Sequence, residues 1–91
     1  METKLLEDLV TLAETRSFSR TTKLRHVTPT TLYKRIKSLE HWAGTDLVVR
    51  LGDTATLTPA GQVLKWKAVD VLYSLQSART NFQQTETDNH A

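Results

Sequence analysis

The chain has two prolines, and each follows a threonine at the head of an amphipathic pattern: Thr28-Pro29 before TTLYKRIKSLE and Thr58-Pro59 before AGQVLKW. Proline has no N–H to donate and its φ is already helical, so it suits the first position of a helix and disrupts the interior of one. The threonine hydroxyl before it can accept from an otherwise unpaired amide of the first turn. Two helix starts are therefore fixed, at residues 29 and 59. The first of these helices has its natural stop at Gly44.

Within it, Leu32, Ile36, Leu39 and Ala43 recur at helical spacing and form one core-facing stripe. The opposite face collects Thr30, Lys34, Lys37 and His41, flanked by Thr31, Tyr33 and Ser38. Arg35 lies nearer the core edge, where its stem can pack while its head reaches solvent. Upstream, Leu5, Leu6, Leu9, Leu12 and Ala13 predict a first helix over residues 4–15. Ser19 is read as the cap of a short second helix ending at Arg25, with Phe18 as the apolar residue before the cap.

Downstream of Gly44 the pattern changes. Residues 47–51 and 54–58 are β-favouring runs joined by Gly52-Asp53, which suits a tight hairpin turn. The helix opened by Pro59 is expected to run to about residue 84. It carries Leu64, Ala68, Val71, Leu75, Ala78 and Phe82 at alternating four- and three-residue steps, the spacing of a coiled-coil seam. A second stripe, Trp66, Val69 and Tyr73, is expected to pack back on the body, and both Trp42 and Trp66 are read as packing aromatics. Residues 85–91 are polar and are read as a disordered tail.

Helix, short helix, turn, helix and two-stranded wing, followed by a long helix, make a mainly α protein. Residues 1–58 form a winged helix-turn-helix and residues 59–84 a linker or dimerisation helix. A chain of 91 residues supports one small core and leaves little room for a cleft. It has no cysteine, and its three histidines, His26, His41 and His90, lie far apart, so neither a metal site nor a cofactor is expected. No run approaches membrane-spanning length, and the chain is read as cytoplasmic, with no membrane partner.

Charge is unevenly distributed. Residues 16–50 hold eight basic residues against two acids, a balance of +6, while the rest of the chain holds four against eight. Such a split points the middle segment at a polyanion. A helix carrying short and long polar side chains on one face can enter the DNA major groove and reach base edges.

Residues 5–61 resemble the DNA-binding domain of LysR-type transcriptional regulators, and the long helix resembles the linker helix through which that family pairs two subunits. The matching residues are SFSR at 17–20, Leu24 to Val27, IKSLE at 36–40, Gly44, Leu47, Arg50 and LTPAG at 57–61. There are departures. Thr21-Thr22 replaces a usual pair of alanines, Thr28-Pro29-Thr30 replaces Ser-Gln-Pro, Tyr33 replaces a serine, and Asp53 stands near the wing tip where many members carry an arginine. The sequence preference is therefore expected to differ, and the wing is given no minor-groove contact.

The helical wheel and the resemblance together assign base-edge contacts to Thr30, Tyr33 and Lys34, with Pro29 and Thr31 against a thymine methyl. Phosphate contacts fall to Ser19, Arg20, Lys37 and Arg50. Leu64, Ala68, Val71, Leu75, Ala78 and Phe82 are expected to form a homodimer interface, with a higher oligomer open to a full-length protein. The basic face can alternatively meet an acidic protein surface, as in a winged-helix assembly module. An enzymatic role finds no nucleophile–base pair at workable spacing. The family's effector-binding domain is absent here, so the chain is expected to be either a fragment or a stand-alone regulator.

Overall fold

The computed structural model describes residues 1–89, with side chains described as far as Gln84. In chain order the elements are α1 (Thr3–Thr15), α2 (Phe18–Arg25), α3 (Pro29–Ala43), β1 (Val48–Leu51), β2 (Thr54–Leu57) and α4 (Pro59–Asn89). Thr28 caps α3 as expected, its hydroxyl accepting from the Thr31 amide, and Gly44 ends that helix in the left-handed conformation. Thr58 does the same for α4 by accepting from the Gly61 amide. The cap of α2 is Ser17, not Ser19: its hydroxyl accepts from the Arg20 amide, and Phe18 is already helical. The helix α4 also continues to Asn89, five residues beyond its expected end. The last residues of the expected tail, 90 and 91, lie outside the described residues.

The antiparallel strands pair Val48 with Leu57 and Leu51 with Thr54. Ser17 adds a single bridge to Thr54, which ties the wing to the start of α2. Leu6, Leu9, Leu39, Leu47 and Ala68 form one part of the core, and Leu12, Phe18, Leu32, Ile36 and Ala55 the other. Ala43, at the end of the predicted α3 stripe, is exposed. Its neighbour Glu40 is buried instead, and accepts from the Leu47 amide (2.8 Å) and the Val48 amide (3.3 Å). A buried carboxylate needs such donors, and these two hold the start of the wing against α3.

Asp8 is completely buried in α1. Its Oδ1 accepts from Arg25 Nε at 2.8 Å and its Oδ2 from Arg35 at 3.3 Å, while the other end of the Arg25 guanidinium meets Glu7 at 2.7 Å. One carboxylate thus joins α1 to both α2 and α3. Thr21 is also fully buried; its hydroxyl donates to the Ser17 carbonyl and lies 2.8 Å from the Thr15 hydroxyl. Thr22 donates to the Ser19 carbonyl. The threonines that stand in place of alanines are therefore satisfied locally.

The faces of α4 are distributed differently from expectation. Ala68, predicted at a dimer seam, is 1% exposed within its own protomer, and Leu64 and Leu72 pack against the same core. The reason is a close approach at Gly61, where a Cβ would collide with the Leu47 carbonyl, so the first turn of α4 lies directly against the residue that leads into β1. Val71, Leu75 and Phe82 continue the stripe beyond the body and are exposed. Trp66, Val69 and Tyr73, expected on the body, are exposed as well, and Trp42 (59%) and Trp66 (62%) are not core aromatics.

The Asp8 contact makes a specific demand on stability. Removing one partner of a buried ion pair costs about 3–5 kcal/mol, and here the low end applies because both guanidiniums keep some solvent exposure. Asp8→Ala is expected to lose roughly 3 kcal/mol of unfolding free energy, measured by urea denaturation. A loss within about 0.5 kcal/mol, typical of an ordinary surface substitution, would mean the contact does not hold the three helices together.

Candidate nucleic-acid interface

The helix α3 follows α2 after a short turn. His26 ends α2 in the left-handed conformation (φ 55), and the Val27 amide returns to the Thr22 carbonyl. With Leu32, Ile36 and Leu39 buried, the opposite face of α3 is turned out. Pro29, Thr30, Tyr33 and Lys34 are exposed on it, and Thr31 is half-buried with its hydroxyl accepting from Thr28. The structure thus brings the five expected base-edge residues together on the first turns of one helix.

The expected phosphate-contact residues are placed less uniformly. Arg20 is exposed on α2 without an ion-pair partner among the described residues. Lys37 lies 3.4 Å from Glu40 and 5.6 Å from the Tyr33 ring centroid. The Glu40 carboxylate, and secondarily the Tyr33 hydroxyl, raise its pKa above the usual lysine range. An exposed lysine pair of this length contributes little, so the ammonium remains free to exchange partners. Arg50 donates to the Gly52 carbonyl and stacks over Phe18 with 4.1 Å to the ring centroid. Ser19, by contrast, has its hydroxyl and amide engaged by Asp53.

Two of the eight cations counted in the basic segment are directed inward. Arg25 and Arg35 are bonded to the acids of α1. The helical wheel does not show this, because the partners lie 17 to 27 residues apart in the chain; nor does it show the inward role of Glu40, whose partners are backbone amides beyond the end of the helix. Of the other six, Arg16, Arg20, Lys23, Lys34 and Arg50 are exposed and in no ion pair among the described residues; the first four lie on or beside α2 and α3, and Arg50 lies on β1.

Three helices carrying a two-stranded wing, with a polar, partly cationic α3 face turned outward, define a winged helix-turn-helix module. The sequence matches the model of the bacterial regulatory helix-turn-helix proteins of the lysR family over residues 3–62. The chain belongs to that family. The transcriptional activator IlvY of Salmonella typhimurium (strain LT2) is 38% identical over 84 residues, covering 92% of this chain and 28% of that protein. Among solved structures, Vibrio fischeri DarR in complex with DNA aligns with a TM-score of 0.87 at 30% identity, over 96% of this chain and 30% of that one. A full-length OxyR variant from Pseudomonas aeruginosa aligns with a TM-score of 0.85 at 32% identity, over 92% and 28%. The chain therefore spans less than a third of the length of these relatives.

Hydrogen bonds from the Ser17 and Ser19 hydroxyls and the Ser19 amide hold the Asp53 carboxyl below the ordinary aspartate value of 3.8. A group depressed in the folded state stabilises it above the unfolded pKa, and that contribution is lost as pH falls through the lower folded value. The fastening of the wing tip to α2 is therefore expected to be complete at neutral pH and to release only below pH 3.8. The Ser19 amide resonance, followed by NMR through an acid titration, should report this midpoint. A midpoint at or above 3.8 would contradict the hydrogen-bonded geometry.

Proposed function

We propose that α3 enters the major groove of double-stranded DNA and reads base edges. The chain then serves as the DNA-binding portion of a LysR-type transcriptional regulator, acting as a homodimer in the bacterial cytoplasm. The observation that carries this reading is the outer face of α3: Thr30, Tyr33 and Lys34 stand exposed there, with no carboxylate bonded to them among the described residues. The small residues at the helix start permit close approach, and the longer ones reach base edges. Arg20, Lys37 and Arg50 flank this face and are assigned to phosphates, which position the protein without reading sequence. The presence of DNA in the DarR structure supports the DNA-binding reading as a whole. The function is one of binding rather than catalysis, in keeping with the regulator names of the relatives.

Dimerisation is assigned to α4, with its face redrawn. Leu64 and Ala68 pack on the protomer's own core, so the surface for a partner begins at Val71 and continues through Leu75, Ala78 and Phe82. Beside it Trp42, Ala43, Leu47, Val63, Leu64 and Lys67 line an apolar groove between α3 and α4. Val63, Lys67 and Val71 follow one another at four-residue steps, so groove and stripe are continuous along α4. The occupant we assign is the α4 of a second copy, whose exposed Leu75 and Phe82 supply matching apolar side chains.

A charge at the seam tests the dimer. Leu75 is 54% exposed in the protomer, so Leu75→Asp should leave the fold intact while costing the dimer roughly 2–4 kcal/mol. Sedimentation should then find monomers at concentrations where the wild type is dimeric. Loss of the dimer with Trp66→Asp but not with Leu75→Asp would move the interface to the other side of α4.

The reading face is tested by comparing two lysines. Lys34→Ala should lose roughly 1–3 kcal/mol on a preferred duplex and little on a scrambled one. Lys37→Ala should weaken both about equally. Tyr33→Ala should relax the preference at one or two base pairs. Fluorescence anisotropy at one fixed salt concentration separates these outcomes, and equal losses on both duplexes for Lys34→Ala and Tyr33→Ala would contradict base readout.

A further inference from the structure

The tip of the wing carries a carboxylate that is held against the first turn of α2. Gly52, with φ 61, turns the hairpin over the first turn of α2. The Asp53 Oδ1 accepts from the Ser19 amide at 2.9 Å, and its Oδ2 accepts from the Ser17 hydroxyl at 2.6 Å and the Ser19 hydroxyl at 2.8 Å. The backbone enforces this arrangement. The Phe18 amide donates to the Asp53 carbonyl, the Ala55 amide donates to the Arg16 carbonyl, both at 2.9 Å, and Ser17 bridges Thr54. Arg50 closes the turn by donating to the Gly52 carbonyl while stacking on Phe18.

An oxyanion that takes a backbone amide and two hydroxyls at a helix N-terminus satisfies the donors that a phosphate would satisfy there. In a helix-turn-helix the first of the two helices crosses the DNA backbone, so a free helix start with two serines would be a phosphate contact. We propose that Asp53 is an internal competitor for that contact: its carboxylate occupies the Ser17–Ser19 donors, fastens the wing to α2, and withholds one backbone contact per protomer from DNA. The inference rests on the DNA-binding reading and adds to it a residue that sets the balance between phosphate and base contributions. With one phosphate contact withheld, less of the affinity is independent of sequence, and more of the discrimination is left to Thr30, Tyr33 and Lys34.

Removing a negative charge near DNA raises affinity whatever its mechanism, so the test is a double-mutant cycle. Four proteins are compared on one cognate and one scrambled duplex across a salt series: wild type, Asp53→Ala, Ser19→Ala and the double variant. Asp53→Ala should bind both duplexes about three- to tenfold more tightly near 0.1 M salt, the gain of a hydrogen-bonded phosphate contact made by neutral donors. Ser19→Ala should cost less than about twofold while Asp53 is present and several-fold once it is gone, because only then does the hydroxyl meet a phosphate. Circular dichroism of each variant confirms that α2 persists. Equal effects of Ser19→Ala in both backgrounds, or no gain from Asp53→Ala, overturn the proposal while wild-type binding leaves the DNA reading standing. Absence of salt-dependent binding by all four proteins overturns both.

Discussion

The buried Asp8 carboxylate is the contact on which the arrangement of the helices depends. Taking a charge out of water is costly unless it is paired and hydrogen-bonded, and Asp8 meets that requirement only when Arg25 of α2 and Arg35 of α3 both reach it. Apolar side chains such as Leu9, Leu12, Leu32 and Leu39 supply the hydrophobic stabilisation of the core. They tolerate small slips in helix register better than a fixed pair of hydrogen-bonded ions does. The orientation of α3, and therefore the direction in which Thr30, Tyr33 and Lys34 face, is set by this ionic junction as much as by packing.

Two other acids extend the same logic. Glu40 accepts the first amides of the wing and Asp53 returns the wing tip to α2. Asp8 and Asp53 join elements that are distant in sequence and Glu40 joins two consecutive ones, and each carboxylate takes up donors of a second element. The result is an outer surface on α2 and α3 where the exposed charges are basic, although the whole chain carries a net charge of only +2. A polyanion would meet Arg20, Lys23 and Lys34 while Asp8 and Glu40 stay buried behind them and Asp53 is held against the start of α2.

What could be read from the sequence was local. The two Thr-Pro caps, the Gly44 stop, the Gly52-Asp53 turn and the stripe through Leu32, Ile36 and Leu39 each depend on a few neighbouring residues, and the structure has them as expected. The cap of α2 was ambiguous because Ser17 and Ser19 both offer a hydroxyl; which one caps is tied to Asp53, 34 residues beyond Ser19. The seven-residue repeat of α4 was visible, yet a repeat does not say whether it rests on its own domain or on another chain. The close approach of Gly61 to Leu47 places Leu64 and Ala68 on the body and leaves Val71, Leu75 and Phe82 outside it. The inward turn of Arg25 and Arg35 was not legible either, since their shared partner Asp8 lies 17 and 27 residues away.

The central claim is that the outer face of α3 reads a particular DNA sequence, and selection of bound duplexes from a random pool tests it most directly. The account predicts enrichment of one short motif, occurring as an inverted pair whose centres are spaced by about one helical turn or a multiple of it, and a changed motif when the selection is repeated with Tyr33→Ala. A pool that stays unenriched after repeated rounds, or a motif unaltered by substitution on the α3 face, would contradict it.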